Sequence, residues 1–150
     1  MIKLLLISVL VIVCAGCEQQ TSLAQISHVE HNQPVQPSAD AIVTVDSAYE
    51  RRASNVIVEG QGTIVKVLAD DNQGSRHQKF LVKVASGKTL LFAHNIDLAG
   101  RVEDIQIGDQ VAFKGEYVFN PKGGVIHWTH HDPRGEHVAG WIKHNGNTYE

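Results

Sequence analysis

The sequence predicts a mainly β fold, a small barrel of five to seven strands accompanied by one or two short helices. From about residue 63 onward, apolar and polar residues alternate with the period of two that a half-buried strand requires. The apolar positions are rich in Val, Ile and Phe, which favour strands. Clusters of Asp, Asn, Gly and Pro separate these runs and predict tight turns between strands.

The predicted elements follow in chain order. Asp46 is expected to cap a short helix over residues 47–54. Alternating runs predict strands at residues 63–68, 77–85, 89–94, 111–117 and 125–131, with a returning strand at residues 138–143.

The segment between the third and fourth strands, residues 96–108, has apolar residues at helix-like spacing and is predicted to be helical. Five strands with a helix in that place form the plan of an OB-fold barrel. Gly108 and Asp109 turn the chain into the fourth strand, as in many OB-folds. We therefore expect an OB-fold-like barrel, with a different small β-barrel as the alternative.

Residues 1–16 have the organisation of a bacterial lipoprotein signal peptide. Lys3 supplies a positive charge, residues 4–13 are apolar, and two small residues precede Cys17. The apolar run is shorter than the roughly twenty residues that cross a bilayer. The segment resembles a lipobox, with Cys14 where Leu is usual, and predicts cleavage before Cys17 and lipidation of its thiol. An ordinary signal peptide is the alternative.

Residues 17–41 are rich in Gln, Ser, Asn and Pro and are predicted to be a flexible tether, which leaves residues 42–150 as the folded domain. The tether histidines, His28 and His31, are expected to be solvated. Glu18 is not the Asp that favours retention in the inner membrane. We expect a protein of the bacterial cell envelope that faces the periplasm, with its lipid anchor in the outer membrane rather than the inner one.

Cysteine content and charge exclude several functions. Cys14 and Cys17 are the only cysteines, so cleavage and lipidation would leave the domain without thiol catalysis, disulfides or Cys-ligated zinc. Loss of Lys3 with the signal changes the formal net charge from −3 to −4. General nucleic-acid binding is not expected, because such proteins usually carry a basic excess.

The chain contains nine histidines, and five of them fall between residues 125 and 145. Imidazole is a common ligand of zinc and copper. We predict a divalent metal site, with Asp132 or Glu136 as a further ligand or as a partner of one. The candidate ligands are His127, His131 and His137, with His77 and His130 in addition. For any single histidine, a hydrogen-bonding or packing role is the alternative.

Three functions stay open at this point. The first is a binding module that holds a metal ion or small ligand on a histidine-rich rim. The second is a metal-dependent hydrolase, such as a phosphodiesterase or nuclease, in which His94 or Asp132 acts as the base. The third is a structural or interaction protein of the envelope, whose histidines only support the fold.

Several long strings of the domain resemble an uncharacterised bacterial family, domain-of-unknown-function family 3465. The resemblance covers about residues 55–150. It implies one folded module and carries no established activity. The strings are LADD at 68–71, RHQKF at 76–80, AHNIDLA at 93–99, GGVIHWTHHDP at 123–133 and GWI at 140–142.

Overall fold

The computed structural model describes residues 43–150. The predicted signal peptide, Cys17 and the predicted tether up to residue 41 lie outside these residues. No helix in the described part of the chain is both long and apolar enough to cross a membrane. Its elements are α1 Val45–Glu50, β1 Ser54–Val67, β2 His77–Val84, β3 Thr89–Asn95, β4 Gln110–Val118, β5 Val125–His127, β6 Trp141–His144 and β7 Asn147–Tyr149.

Strands β1 to β5 close into a barrel in the order β1-β2-β3-β5-β4, and the pairing of β4 with β1 completes the ring. Neighbouring strands are antiparallel except β3 and β5, which are parallel. Strands β6 and β7 form a hairpin that extends the sheet from β4. This arrangement confirms the predicted OB-fold-like barrel.

Strand β1 pairs with both β2 and β4, and Gly62 has a partner in each of these strands. Gly62 pairs with Val84 of β2 and with Val111 of β4. A Cβ atom at this position would lie 2.6 Å from the carbonyl oxygen of Lys83, so only glycine allows the strands to approach this closely.

The period-two pattern places one face of each long strand in the barrel interior. Phe92 stacks on Phe80 with ring centroids 5.1 Å apart and meets the edge of Phe113 at 4.8 Å. These three rings are fully buried, as is Ala48 of α1. The closing strand pairing and this core lie within residues 43–150, so a chain that starts at Glu18 keeps everything that builds the barrel.

The helix predicted over residues 96–108 is wrong, because the segment is an irregular loop. The Gln78 side chain donates to the Val102 carbonyl oxygen at 3.0 Å and accepts from the Val102 N–H at 2.9 Å. These bonds satisfy the Val102 backbone groups from outside the loop. Val102 is buried while Leu98 and Ile107 are exposed, so the helix-like spacing does not correspond to one buried face.

The first helix begins earlier than predicted and has a different cap. Thr44, not Asp46, is the N-cap, and its side chain accepts a hydrogen bond from the Ser47 N–H. Asp46 instead forms an ion pair with Lys88, with 2.7 Å between the carboxylate oxygen and Nζ. The helix ends at Glu50, before Arg52, whose φ of 51° is not helical.

Strand boundaries also differ from the prediction at three places, one of which is β6, which begins at Trp141 rather than at residue 138. Strand β1 begins at Ser54 rather than at residue 63. Strand β5 ends at His127 rather than at residue 131, because Trp128 has a φ of 51° and leaves the extended conformation. Side chains therefore stop alternating between the two faces of the sheet at Trp128. The predicted sharing of one face by His127, Thr129 and His131 no longer applies.

Candidate functional site

The pairing of β4 with β5 places Glu116 beside His127. The two residues are directly opposite each other in this antiparallel pair, so their side chains share one face. His127 Nε2 lies 3.2 Å from Glu116 Oε1. Glu116 is not among the residues predicted for the site, because alternation along the strand indicates only that its side chain points away from the core. The signal that would have found it is the β4–β5 register.

The turn after β5 brings a second histidine to the same carboxylate. Trp128 and His137 stack with ring centroids 3.7 Å apart and an interplanar angle of 19°. In this position His137 Nδ1 lies 3.9 Å from Glu116 Oε2. The Glu116 carboxylate thus lies between two imidazoles, and we call Glu116, His127 and His137 the rim triad.

Asp132 builds the loop that carries His137. Its Oδ2 accepts from the N–H groups of Glu136 at 2.7 Å and His137 at 3.0 Å, and its Oδ1 accepts from the Arg134 N–H at 3.0 Å. The bond from Arg134, aided by the other two, holds the pKa of Asp132 below its ordinary value. Both oxygens of this candidate base are therefore occupied by backbone N–H groups, one of which belongs to His137.

His127 has a ring nitrogen available for a ligand. Its Nε2 is buried and has no aligned hydrogen-bond partner, although Glu116 is only 3.2 Å away. The contact is therefore an electrostatic one whose geometry falls outside that of a hydrogen bond. Burial lowers the pKa of His127, and the neighbouring carboxylate opposes that effect. A neutral imidazole is the form that binds metals.

A cavity of about 150 Å³ lies beside the rim triad. His130, on its wall, is buried, and its Nδ1 lies 2.7 Å from the His131 carbonyl oxygen. A carbonyl only accepts, so Nδ1 carries the proton and Nε2 of the neutral ring keeps a lone pair. The residues lining the cavity are His77, Ala93, Asn95, His127, Trp128 and His130.

Two other histidines have structural hydrogen bonds. His94 is fully buried, with Nδ1 2.8 Å from Thr129 Oγ1 and Nε2 2.9 Å from the Gly100 carbonyl oxygen. Burial lowers its pKa. His144 Nε2 lies 2.9 Å from Asp109 Oδ2. His94, a candidate base from the sequence, thus has both ring nitrogens occupied.

The rim triad approaches, but does not reach, the spacing of metal ligands. No group of three or more His, Cys, Asp or Glu side chains in residues 43–150 is already arranged to hold a metal ion. Ligands about 2.0–2.1 Å from a tetrahedral zinc are about 3.3–3.4 Å apart. The 3.2 Å separation of His127 from Glu116 matches this value, and the 3.9 Å separation of His137 is wider.

The other predicted ligands differ in whether they lie near the rim triad. His77 and His130 line the adjacent cavity and so lie near His127. His131 is exposed, and among the described residues neither a hydrogen bond nor an ion pair joins its side chain to the rim triad. The structure therefore brings His127 and His137 together through Glu116 and leaves His131 outside.

Comparison with known proteins places this barrel and its rim in one family. No curated protein matches the chain. A family model described as "Protein of unknown function (DUF3465)" matches residues 27–150, which is most of the chain and includes every residue of the rim triad and the cavity. The chain belongs to this family of proteins of unknown function, DUF3465.

Proposed function

We propose that the chain is a binding module that holds a divalent transition metal, zinc or copper, on its histidine-rich rim. The observation that carries the proposal is the Glu116 carboxylate between the imidazoles of His127 and His137, at 3.2 and 3.9 Å. Two imidazoles and a carboxylate form a ligand set that zinc uses in proteins. Three protein ligands also leave one position open for water or a small ligand.

The rim triad lies close to the protein surface. The side chains of His127 and His137 are 33% and 35% exposed, while that of Glu116 is only 14% exposed. The carboxylate is thus held largely out of water, where its attraction for a cation is screened less than at an open surface. A shift of His137 by about half an ångström would shorten the 3.9 Å between its Nδ1 and Glu116 Oε2 to the roughly 3.4 Å between neighbouring ligands of a tetrahedral zinc.

The surroundings of the triad resemble those that orient metal ligands in other sites. Asp132 fixes the His137 backbone through the bond to its N–H, and Trp128 supports the His137 ring by stacking. Groups that orient ligands in this way strengthen metal binding, and their loss typically weakens it by about 10- to 100-fold.

The direct test is metal binding by a chain from Glu18 to Glu150, purified without a histidine tag. We expect near-stoichiometric zinc or copper by elemental analysis and a saturable calorimetric titration of the chelator-treated protein. Glu116→Gln and His127→Ala should each weaken binding by about tenfold or more. His131→Ala is the matched control and should bind like the parent, because His131 lies outside the triad.

Two results would contradict the metal site. One is a protein that purifies without metal and shows no thermal shift on addition of zinc or copper. The other is an equal loss of affinity in His131→Ala and His127→Ala, which would indicate non-specific binding by surface imidazoles. Either result would favour the envelope interaction protein, in which histidines have the hydrogen-bonding role already seen for His94 and His144.

A metal-dependent hydrolase is the second candidate, and the cavity next to His127 is the observation that favours it. A metal-bound water near neutral pKa would attack a phosphodiester or a similar bond placed there. Zinc-loaded protein should then cleave an activated phosphodiester at a rate that Glu116→Gln abolishes. Metal binding without such cleavage would support the binding module alone.

The envelope location is proposed on sequence grounds. The lipobox-like residues before Cys17 support attachment of acyl chains to its thiol, and two or three chains together anchor a protein stably. The full chain expressed in a bacterium should incorporate labelled palmitate and partition into detergent. Cys17→Ser should abolish both, and labelling that persists in this variant would contradict the anchor.

A further inference from the structure

The two ends of the barrel carry opposite charge. The pairing of β2 with β3 places His77 beside Asn95 at one end, while the β2–β3 turn lies at the other end. The loops next to His77 and Asn95, residues 68–76 and 96–109, contain six carboxylates and two arginines, a formal charge of −4. We call these two loops the acidic end. Its carboxylates are Asp70, Asp71, Asp97, Glu103, Asp104 and Asp109.

Three segments meet around helix α1 at the opposite end of the barrel. Lys88, which follows the β2–β3 turn, pairs with Asp46 at 2.7 Å, and its Nζ lies 5.3 Å from the centre of the Tyr49 ring. The Tyr49 hydroxyl donates to the Pro121 carbonyl oxygen at 3.2 Å, and the Tyr49 ring lies 5.4 Å from that of Phe119. Helix α1, the β2–β3 turn and the β4–β5 turn therefore form one surface.

This surface has a positive formal charge, and we call it the basic end. Residues 45–53, 85–88 and 119–124 contain four basic residues and two carboxylates, a formal charge of +2. The side chains of Arg51, Arg52 and Lys122 are exposed. The Arg52 guanidinium lies 5.9 Å from the centre of the Phe119 ring, which joins it to the β4–β5 turn. The charged residues of the basic end are Arg51, Arg52, Lys88, Lys122, Asp46 and Glu50.

The distance between the two ends lets the basic end act on a nearby charged surface. Strand β3, Thr89–Asn95, leads from one end to the other in 7 residues, which span about 20 Å. At about 0.1 M salt the Debye length is about 10 Å, so the charges of the acidic end are largely screened from a surface that touches the basic end. The acidic end therefore does not prevent attraction of the basic end to an anionic surface.

The position at which the chain enters the domain indicates which surface this is. Thr44, the N-cap of α1, directly follows Val43, so the preceding chain reaches the domain at the helix that belongs to the basic end. Residues 18–42 connect this point to Cys17, the proposed site of the lipid anchor, and span at most about 90 Å when fully extended. The bilayer that holds the anchor is therefore a surface within reach of the basic end.

We propose that the basic end docks on an anionic phospholipid surface, with Arg51, Arg52 and Lys122 facing the lipid phosphates. The proposal rests on the proposed lipid anchor, because the anchor keeps the domain close to the membrane. A basic patch is a second signal that strengthens the attachment of a lipidated protein. Each Lys or Arg close to an anionic surface strengthens binding by a factor of about five. Strand β5 leads away from the β4–β5 turn to His127, so docking leaves the loop of residues 128–140 accessible from solution.

Vesicle binding by the chain from Glu18 to Glu150 tests the proposal. Because this chain lacks Cys17, its binding does not depend on lipidation. Co-sedimentation compares vesicles of equal parts phosphatidylglycerol and phosphatidylcholine with vesicles of phosphatidylcholine alone, at about 0.1 M salt. We expect binding to the anionic vesicles and none to the neutral ones. Binding should disappear at about 1 M salt, where the Debye length falls to about 3 Å.

Two double variants make the test specific for the basic end. Arg51→Gln with Arg52→Gln removes two of its cations and should weaken binding about 25-fold. Lys66→Gln with Lys143→Gln is the matched control, because it removes the same charge from exposed positions of β1 and β6 outside the basic end. It should weaken binding less than about twofold, since these charges are screened from the lipid. Lys122→Gln should weaken binding about fivefold and keeps the proposal testable if the arginine variant does not fold.

Hydrogen exchange in the presence of anionic vesicles tests the orientation. We expect slower exchange in residues 45–53 and 119–124 and unchanged exchange in residues 128–140. Four results would overturn the proposal: no binding to anionic vesicles, equal binding to neutral ones, an equal loss in the two double variants, and protection of residues 128–140 instead of the basic end. Palmitate labelling of the full chain is measured separately, so failure of docking and failure of the lipid anchor are distinguishable.

Discussion

Replacement of Thr129 by Val tests whether His94 is a structural residue rather than a catalytic base. Both side chains are fully buried, and Thr129 Oγ1 lies 2.8 Å from His94 Nδ1. The Gly100 carbonyl oxygen, which only accepts, lies 2.9 Å from Nε2, so Nε2 carries the proton. Nδ1 therefore accepts from the Thr129 hydroxyl. Valine has a similar shape and no donor, which leaves a buried nitrogen without a partner.

The expected loss follows from that unpaired nitrogen. A buried acceptor without a donor costs about 1–3 kcal/mol of unfolding free energy. With a urea m-value of about 2 kcal/mol/M, a loss of about 2 kcal/mol lowers the unfolding midpoint by about 1 M. Thr129→Ser keeps the hydroxyl and removes one methyl group, so we expect a smaller loss of about 1 kcal/mol.

Urea unfolding followed by circular dichroism measures this difference, and Thr63→Val is the matched control. Thr63 Oγ1 accepts a hydrogen bond of 2.7 Å from Gln110, but the pair is exposed to solvent. Water replaces the lost hydroxyl there, so the change should stay within about 0.5 kcal/mol. If Thr129→Val unfolds at the same urea concentration as Thr63→Val, the structural role is refuted and His94 becomes available as a base.

Two further predictions concern backbone geometry and pH. Gly124→Ala should abolish cooperative folding, because Gly124 has a φ of +113° and its Cβ would lie 2.1 Å from Tyr117 Cε2. Gly135→Ala, at a φ of +67° in open space, should cost only about 1–2 kcal/mol, and similar urea midpoints for the two variants would contradict the packing argument. Burial lowers the pKa of His94 from 6.5 in the folded protein. As the pH falls below 6.5, the imidazole therefore becomes protonated in the unfolded chain before it does so in the folded protein. Stability from His94 is fully present above 6.5 and falls on acidification, by at most about 1.4 kcal/mol per pH unit. His127 acts in the same direction, so His94→Gln should reduce the slope of unfolding free energy against pH without removing it, and an unchanged slope would sink this assignment.

The barrel could be predicted because its signals are local. Alternation of apolar and polar residues reports which side of a strand faces the core, and this held for β2, β3 and β4 with small changes at the ends. The loop at residues 96–108 could not be predicted in this way. Its apolar spacing fits a helix, but the Gln78 side chain satisfies the Val102 backbone and holds the chain in another conformation.

In the candidate site, too, some residues could be predicted from local sequence patterns and others depend on tertiary contacts. The sequence alone selected His127 and His137 through the density of imidazoles, and it proposed His131 by assuming that the strand continued. The positive φ of Trp128 ends that strand and turns His137 back onto the indole, while His131 is left exposed. This turn depends on contacts made by the whole loop, among them the three N–H groups bound by Asp132.

The sequence by itself determined a histidine-rich β-barrel domain, because periodicity and composition are properties of neighbouring residues in the chain. Only the tertiary structure decided that Glu116 lies between His127 and His137. It also decided that both ring nitrogens of His94 have hydrogen-bond partners, namely Thr129 and Gly100. These contacts join β4, β5, β3 and two loops. Their physical cause is strand register, which is set by the closure of the whole barrel and by no single segment of the sequence.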